Sequence, residues 1–154
     1  MNCSCQQDEV YAAENDVTPG RRILSQEALQ QFVDDLRDTD YWQRNFPDVR
    51  SILAICDPRR KARGSLGRWN GDGDGEILMS PVHMYERIVL HEVTHVIACA
   101  RYGSHAHDPW FARTYLELVY AIMGGDVYAE LKAAFITGGV DHDTDNAVPG
   151  GIAL

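Results

Sequence analysis

His91-Glu92-Val93-Thr94-His95 is an H-E-x-x-H pentapeptide set in a stretch patterned as a helix. On a helix the two imidazoles fall one turn apart on the same face, close enough to share one ion. Two neighbouring histidines on a partly buried helix are hard to satisfy without a common partner, and a metal relieves that problem. Zinc needs at least a third protein ligand, and a catalytic zinc keeps its fourth position for water. Three residues compete for the third place. His107 ranks first, because it follows His95 by twelve residues and directly precedes Asp108-Pro109-Trp110-Phe111, which reads as the N-cap and first turn of the next helix. His105, on the same short loop, ranks second. Glu117 ranks third, since the apolar stripe Phe111, Tyr115, Leu118 and Ile122 leaves it about 100° off that face. His83 and Cys99 are each eight residues from His91, about 12 Å along a straight helix axis, and are set aside as ligands. Cys99 reads as a small buried thiol.

The chemistry that suits this set is metal-assisted hydrolysis. Zinc held by neutral imidazoles lowers the pKa of its water and polarises a carbonyl oxygen. Glu92, next to a ligand but projecting at another angle, is the residue to take a proton from that water and hand it to the leaving group. On an amphipathic helix without a metal it would be an ordinary surface carboxylate. A donor for the developing oxyanion is also needed, and Tyr102, His105 and Tyr115 are the candidates.

These side chains require a helix with defined ends. Ser80 is a suitable N-cap and Pro81 a suitable first residue, after which Met84, Ile88, Val89, Val93, Val96, Ile97 and Ala100 recur at three- and four-residue spacing, and Gly103 is the stop. Ser25 opens another helix, with Leu29, Phe32, Val33 and Leu36 on one side. Ser51 to Cys56 and Glu76 to Met79 read as short strands, the second leading directly into the motif helix. Asn70 to Gly75 alternates acidic residues with glycine. The twelfth place of a calcium loop starting there falls on Pro81 and not on Glu, so a tight turn between strands is expected. Gly124-Gly125 ends the helix after Asp108, and a last helix runs from about Asp126 to Phe135. Residues 1–9 and 141–154 read as tails, with His142 solvated among aspartates.

The blocks Val10-Tyr11-Ala12-Ala13-Glu14, His91 to His95, and His107-Asp108-Pro109-Trp110-Phe111 together resemble a zinc metallohydrolase family of actinobacteria and their phages, a zincin-like group. The likeness runs from about residue 10 to about residue 140. The third block is also similar to SprT-like metallopeptidases, in which the His of a His-Gly pair is the third zinc ligand; that likeness implies His107, although Asp108 stands where the pattern has Gly. The resemblance implies a zincin-like single domain, a zinc-dependent peptidase with one Zn2+ held by His91, His95 and His107, and a peptide or protein substrate. Zincins present an edge strand beside the metal for an extended peptide to pair with, and Ala62 to Trp69 is where that edge is expected.

At 154 residues the chain suits one compact α+β domain that buries about two-thirds of its unfolded surface without a disulfide. A net charge of −9 argues against general nucleic-acid binding. The basic run Arg59 to Arg63 is the local exception, and reads as a charged guard on a strand edge. No apolar leader or membrane-length segment is visible, so a cytoplasmic protein with no membrane partner is expected. Cys3 and Cys5 read as free thiols. A second function class fits the same residues: a zinc-stabilised binding or regulatory module without turnover. Glu92 weighs against it, because a structural zinc site has no use for that carboxylate.

Overall fold

The computed structural model describes residues 5–145. These form six α-helices and a three-stranded sheet in a mixed α+β arrangement. In chain order they are α1 (Gln7–Glu14), α2 (Gln26–Arg37), α3 (Asp40–Asn45), β1 (Ser51–Cys56), β2 (Leu66–Gly71), β3 (Asp74–Met79), α4 (Glu86–Tyr102), α5 (Pro109–Met123) and α6 (Gly125–Gly138). The strand order is β1-β3-β2, with β1 parallel and β2 antiparallel to β3.

The motif helix α4 is the centre of the molecule. It packs on β2 and β3 on one side and on α5 on the other, which is why Val89, Leu90, Val93, Val96 and Ile97 are all fully buried. Its end follows the expectation: Gly103 is left-handed, and the terminal amides return to the Ala98 and Cys99 carbonyls. Its start does not. Ser80 and Pro81 open a separate short 3-10 turn, Pro81–His83, and the helix begins only at Glu86. The orphan amides of its first turn go to a distant loop, with Glu86 N–H donating to the Arg21 carbonyl and Arg87 N–H to that of Pro19. Glu86 in turn accepts from the Arg21 amide and guanidinium.

Two glycines let α4 lie flat on the sheet. A Cβ at Gly67 in β2 would sit 2.0 Å from the Glu92 carbonyl oxygen, and one at Gly75 in β3 would sit 2.3 Å from Val96 Cγ1. Backbone cannot yield as a flexible side chain can. Gly67→Ala is therefore expected to destabilise the fold by about 1–3 kcal/mol as β2 is pushed off α4, measured as a lower urea midpoint with an unchanged slope.

The two sheet edges are treated differently. Gln26 and Gln30, one turn apart on α2, lie along the outer edge of β1. Gln26 accepts from Cys56 N–H at 2.8 Å and donates to the Ala54 carbonyl at 2.7 Å; Gln30 accepts from Ala54 N–H at 2.9 Å and donates to the Ile52 carbonyl at 3.0 Å. One edge is thus closed by side chains. β2, overlapping the expected edge segment, is the other edge. The Asn70 to Gly75 segment is a tight hairpin turn through Asp72 and Gly73, whose φ values of 52° and 87° suit a two-residue mirror-image turn.

Other boundaries depart modestly from expectation. The amino-terminal segment expected as a tail contributes Gln7 to Glu9 to α1, and α3 is an unanticipated short helix capped by the Thr39 hydroxyl. Residues 141–145, expected as tail, are tethered to the fold although Asp141, Asp143 and Asp145 are exposed. Asp141 exchanges two hydrogen bonds with the Gln6 side chain, and the buried Thr144 hydroxyl receives Arg113. Cys3 and residues 146–154 lie outside the described residues. Among the described residues no helix is long and apolar enough to cross a membrane.

Candidate metal centre

Three imidazoles converge between α4 and α5. His107 Nε2 lies 3.0 Å from His91 Nε2 and 3.2 Å from His95 Nε2. The α4 pair is set by helix geometry. His107 is brought in by the tight turn at Ser104–His107 and by Asp108, whose carboxylate accepts from Phe111 N–H at 2.9 Å as the N-cap of α5. Phe111, fully buried, packs against all three rings with centroid distances of 4.4–4.9 Å.

The donor set fits a tetrahedral ion. Zn–N bonds of about 2.0–2.1 Å at tetrahedral angles put neighbouring nitrogens about 3.3 Å apart, close to the separations seen here. Without an ion, nitrogen lone pairs facing each other at this range repel. His91, His95 and His107 are a possible metal-binding site, and no fourth His, Cys, Asp or Glu joins the group among the described residues.

Glu14, from the end of α1, orients the first of these rings. Its Oε1 lies 2.7 Å from His91 Nδ1 and 3.2 Å from Arg87 Nη1. Accepting from Nδ1–H leaves the His91 Nε2 lone pair directed at the cluster, the arrangement by which carboxylates fix metal-binding histidines. Burial by itself would raise the Glu14 pKa, yet His91 and Arg87 outweigh it and the carboxyl is held below its ordinary value. For His91 burial works against the charged ring, but Glu14 prevails and the pKa is raised. His95 is pushed well down by burial and by His91 and His107, and His107 falls to about 4 through burial and His91, against the pull of Glu14. Both are neutral near pH 7, as ligands must be. Glu14→Gln is expected to weaken metal binding at this site about 10–100-fold, read by competition with a chromogenic chelator.

Arg87 ties this carboxylate to the fold. Its guanidinium, 4 % exposed, also donates to the Tyr115 hydroxyl at 3.0 Å and to the carbonyls of Glu14, Val17 and Thr18. Tyr115, a candidate oxyanion donor, is accordingly committed beneath His91. The other two candidates are elsewhere: Tyr102 packs at a tilt against Trp110 with centroids 4.4 Å apart, and His105 is exposed, with Nδ1 3.4 Å from Cys99 Sγ. Cys99 is half-buried and not fully buried. Glu117 is exposed and pairs with Arg113.

Glu92 is 5 % exposed and lines a cleft of about 640 Å³ together with His91, Glu14 and Tyr11. Burial, with a contribution from Glu14, pushes its carboxyl up to about 7, against the pull of His91, Arg60 and the Gly67 amide. Tyr11 lies parallel to His91 at 5.6 Å and edge-on to His107 at 5.2 Å. Tyr11, Glu14, Arg87 and His83 were not nominated as site residues from sequence. The i, i+3 spacing of Tyr11 and Glu14 was the available signal, since it puts both on one face of a short helix.

Comparison with protein-family models, curated proteins and solved structures finds no match for this chain.

Proposed function

We propose that the protein is a zinc-dependent hydrolase of peptide bonds with a zincin-like site, in which His91, His95 and His107 hold the metal and Glu92 is the general base. The observation that carries this reading is Glu92 itself, a buried carboxyl on the cleft wall, one residue from a ligand. A metal serving only to join α4 to α5 would not require that group. The donor set also stops at three among the described residues, as catalytic zinc sites do.

When bound, zinc supplies a Lewis acid and makes water a better nucleophile near neutral pH. Glu92 accepts a proton from the attacking water and returns it to the leaving nitrogen. Glu14 holds His91 in one tautomer and one orientation, while Phe111 seals the apolar side of the three rings. The β2 edge offers backbone groups to an extended peptide, and β2 packs directly on α4.

Elemental analysis with a peptide-hydrolysis screen tests this reading. About one zinc per chain is expected, lost in His91→Ala, His95→Ala and His107→Ala and kept in His105→Ala, with turnover abolished by a chelator and restored by zinc. Full zinc occupancy with no hydrolysis across a diverse peptide library would instead support the non-catalytic module.

A further inference from the structure

The cleft wall facing His91 and Glu92 comes from the loop before β2 and the turn before α4, and carries Arg63, Ser65 and His83. Ser65 ties His83 to this wall. Ser65 Oγ accepts the Ser80 amide N–H at 2.9 Å and lies 3.1 Å from His83 Nδ1. The serine hydroxyl has one proton to donate, and among the described residues its partner is that nitrogen. When the hydroxyl donates to Nδ1, the neutral ring carries its proton on Nε2, which has no partner among the described residues. Burial and the neighbouring His91 hold His83 below the usual histidine value, so the neutral ring is the form present near pH 7.

Arg63 is the second donor on that wall. Within the basic run, Arg59 is held by Asp57 at 3.0 Å and Arg60 donates to the Gly64 carbonyl at 2.9 Å. Arg63 lines the cleft, and no carboxylate or carbonyl pairs with it among the described residues. The acidic groups of the cleft do not answer it: Glu14 is committed to His91 and Arg87, and Glu92 belongs to the helix opposite. Arg63 is exposed at the mouth of this cleft, where its guanidinium is free to meet an anion in a chain of net charge −9.

We propose that Arg63 and His83 form a carboxylate-binding subsite, so that the substrate is a peptide bearing an acidic side chain or a free C-terminal carboxylate beside the scissile bond. This rests on the hydrolase reading. Both residues line the same cleft, and a guanidinium fork and an imidazole N–H are donors that suit the acceptor oxygens of a carboxylate. A cleft of about 640 Å³ has room for that group and a short stretch of peptide backbone.

The test is a calorimetric titration of the Glu92→Gln protein, zinc-loaded and chelator-treated, with three peptides: acetyl-Ala-Ala-Glu-Ala-Ala-amide, its Gln counterpart, and acetyl-Ala-Ala-Ala with a free C-terminus. One of the two carboxylate peptides is expected to bind about tenfold more tightly than the Gln peptide. Arg63→Gln and His83→Leu should each remove most of that preference, with and without zinc. Whichever carboxylate peptide shows it identifies the source of the carboxylate. Equal or undetectable binding of all three peptides, or a preference that survives Arg63→Gln, would overturn the subsite. So would a preference seen only with zinc, because the metal would then be the carboxylate's partner. Failure of the hydrolase reading is separately visible as wild-type protein that takes up no zinc or, when loaded, hydrolyses no peptide.

Discussion

Glu92→Gln is expected to lower kcat by about 10²–10⁴-fold while leaving zinc content and the unfolding midpoint nearly unchanged. Glutamine has nearly the same shape and cannot accept the proton, so the change removes chemistry and keeps packing. The native carboxyl is buried, and burial pushes its pKa up to about 7, so it favours its neutral form more than an exposed glutamate would. A neutral amide at that place adds no desolvation cost. Single-turnover hydrolysis measured beside metal analysis of the same preparation checks the split. Loss of zinc in this variant, or undiminished turnover, would remove Glu92 from the role of base.

Arg87→Met is expected to destabilise the fold by about 3–5 kcal/mol, the range for removing one partner from a buried ionic network, with Glu14 left to His91 alone. The guanidinium holds together Glu14, the Tyr115 hydroxyl and three backbone carbonyls of the α1–α2 connection. Methionine fills the volume and satisfies none of them. The pH dependence follows from Glu14. Its folded pKa lies below the ordinary 4.5, so its paired charge contributes stability that is fully present above that value and is lost as pH falls through the folded pKa. Without Arg87 the folded pKa rises and this contribution shrinks. The stability gap between native and variant protein should therefore be widest near neutrality and narrow in acid. Denaturant melts at pH 7 and pH 3.5 measure the gap, and an equal difference at both would show that Glu14 is not the group through which Arg87 acts.

The parts of this protein legible in its sequence are those governed by neighbours along the chain. The i, i+4 spacing of His91 and His95 needs only helix geometry. The Ser25 and Asp108 caps, the Gly103 stop and the Asp72-Gly73 turn are set by local hydrogen bonding and allowed φ, and each stands where residue type alone points. The start of α4 was misread for the opposite reason. Its first amides are satisfied by the carbonyls of Pro19 and Arg21, more than sixty residues away, so no local cap was needed and Ser80 was free to open a different turn.

His107 could be ranked above His105 and Glu117 from sequence, but the tight turn that brings its Nε2 within 3.2 Å of both α4 histidines is a tertiary fact. So is the role of Glu14, whose carboxylate reaches His91 across 77 positions of chain. Sequence does not choose among the oxyanion candidates Tyr102, His105 and Tyr115, and packing brings each against another partner. Tyr11 and His83, from the first helix and a 3-10 turn, line the cleft in their place. Sequence by itself determined the pairing of His91 with His95 and the core of most helices and strands, because those follow from bond geometry and local spacing. Only the tertiary structure decided which side chains face one another, because burial and long-range hydrogen bonds are settled when the elements pack together.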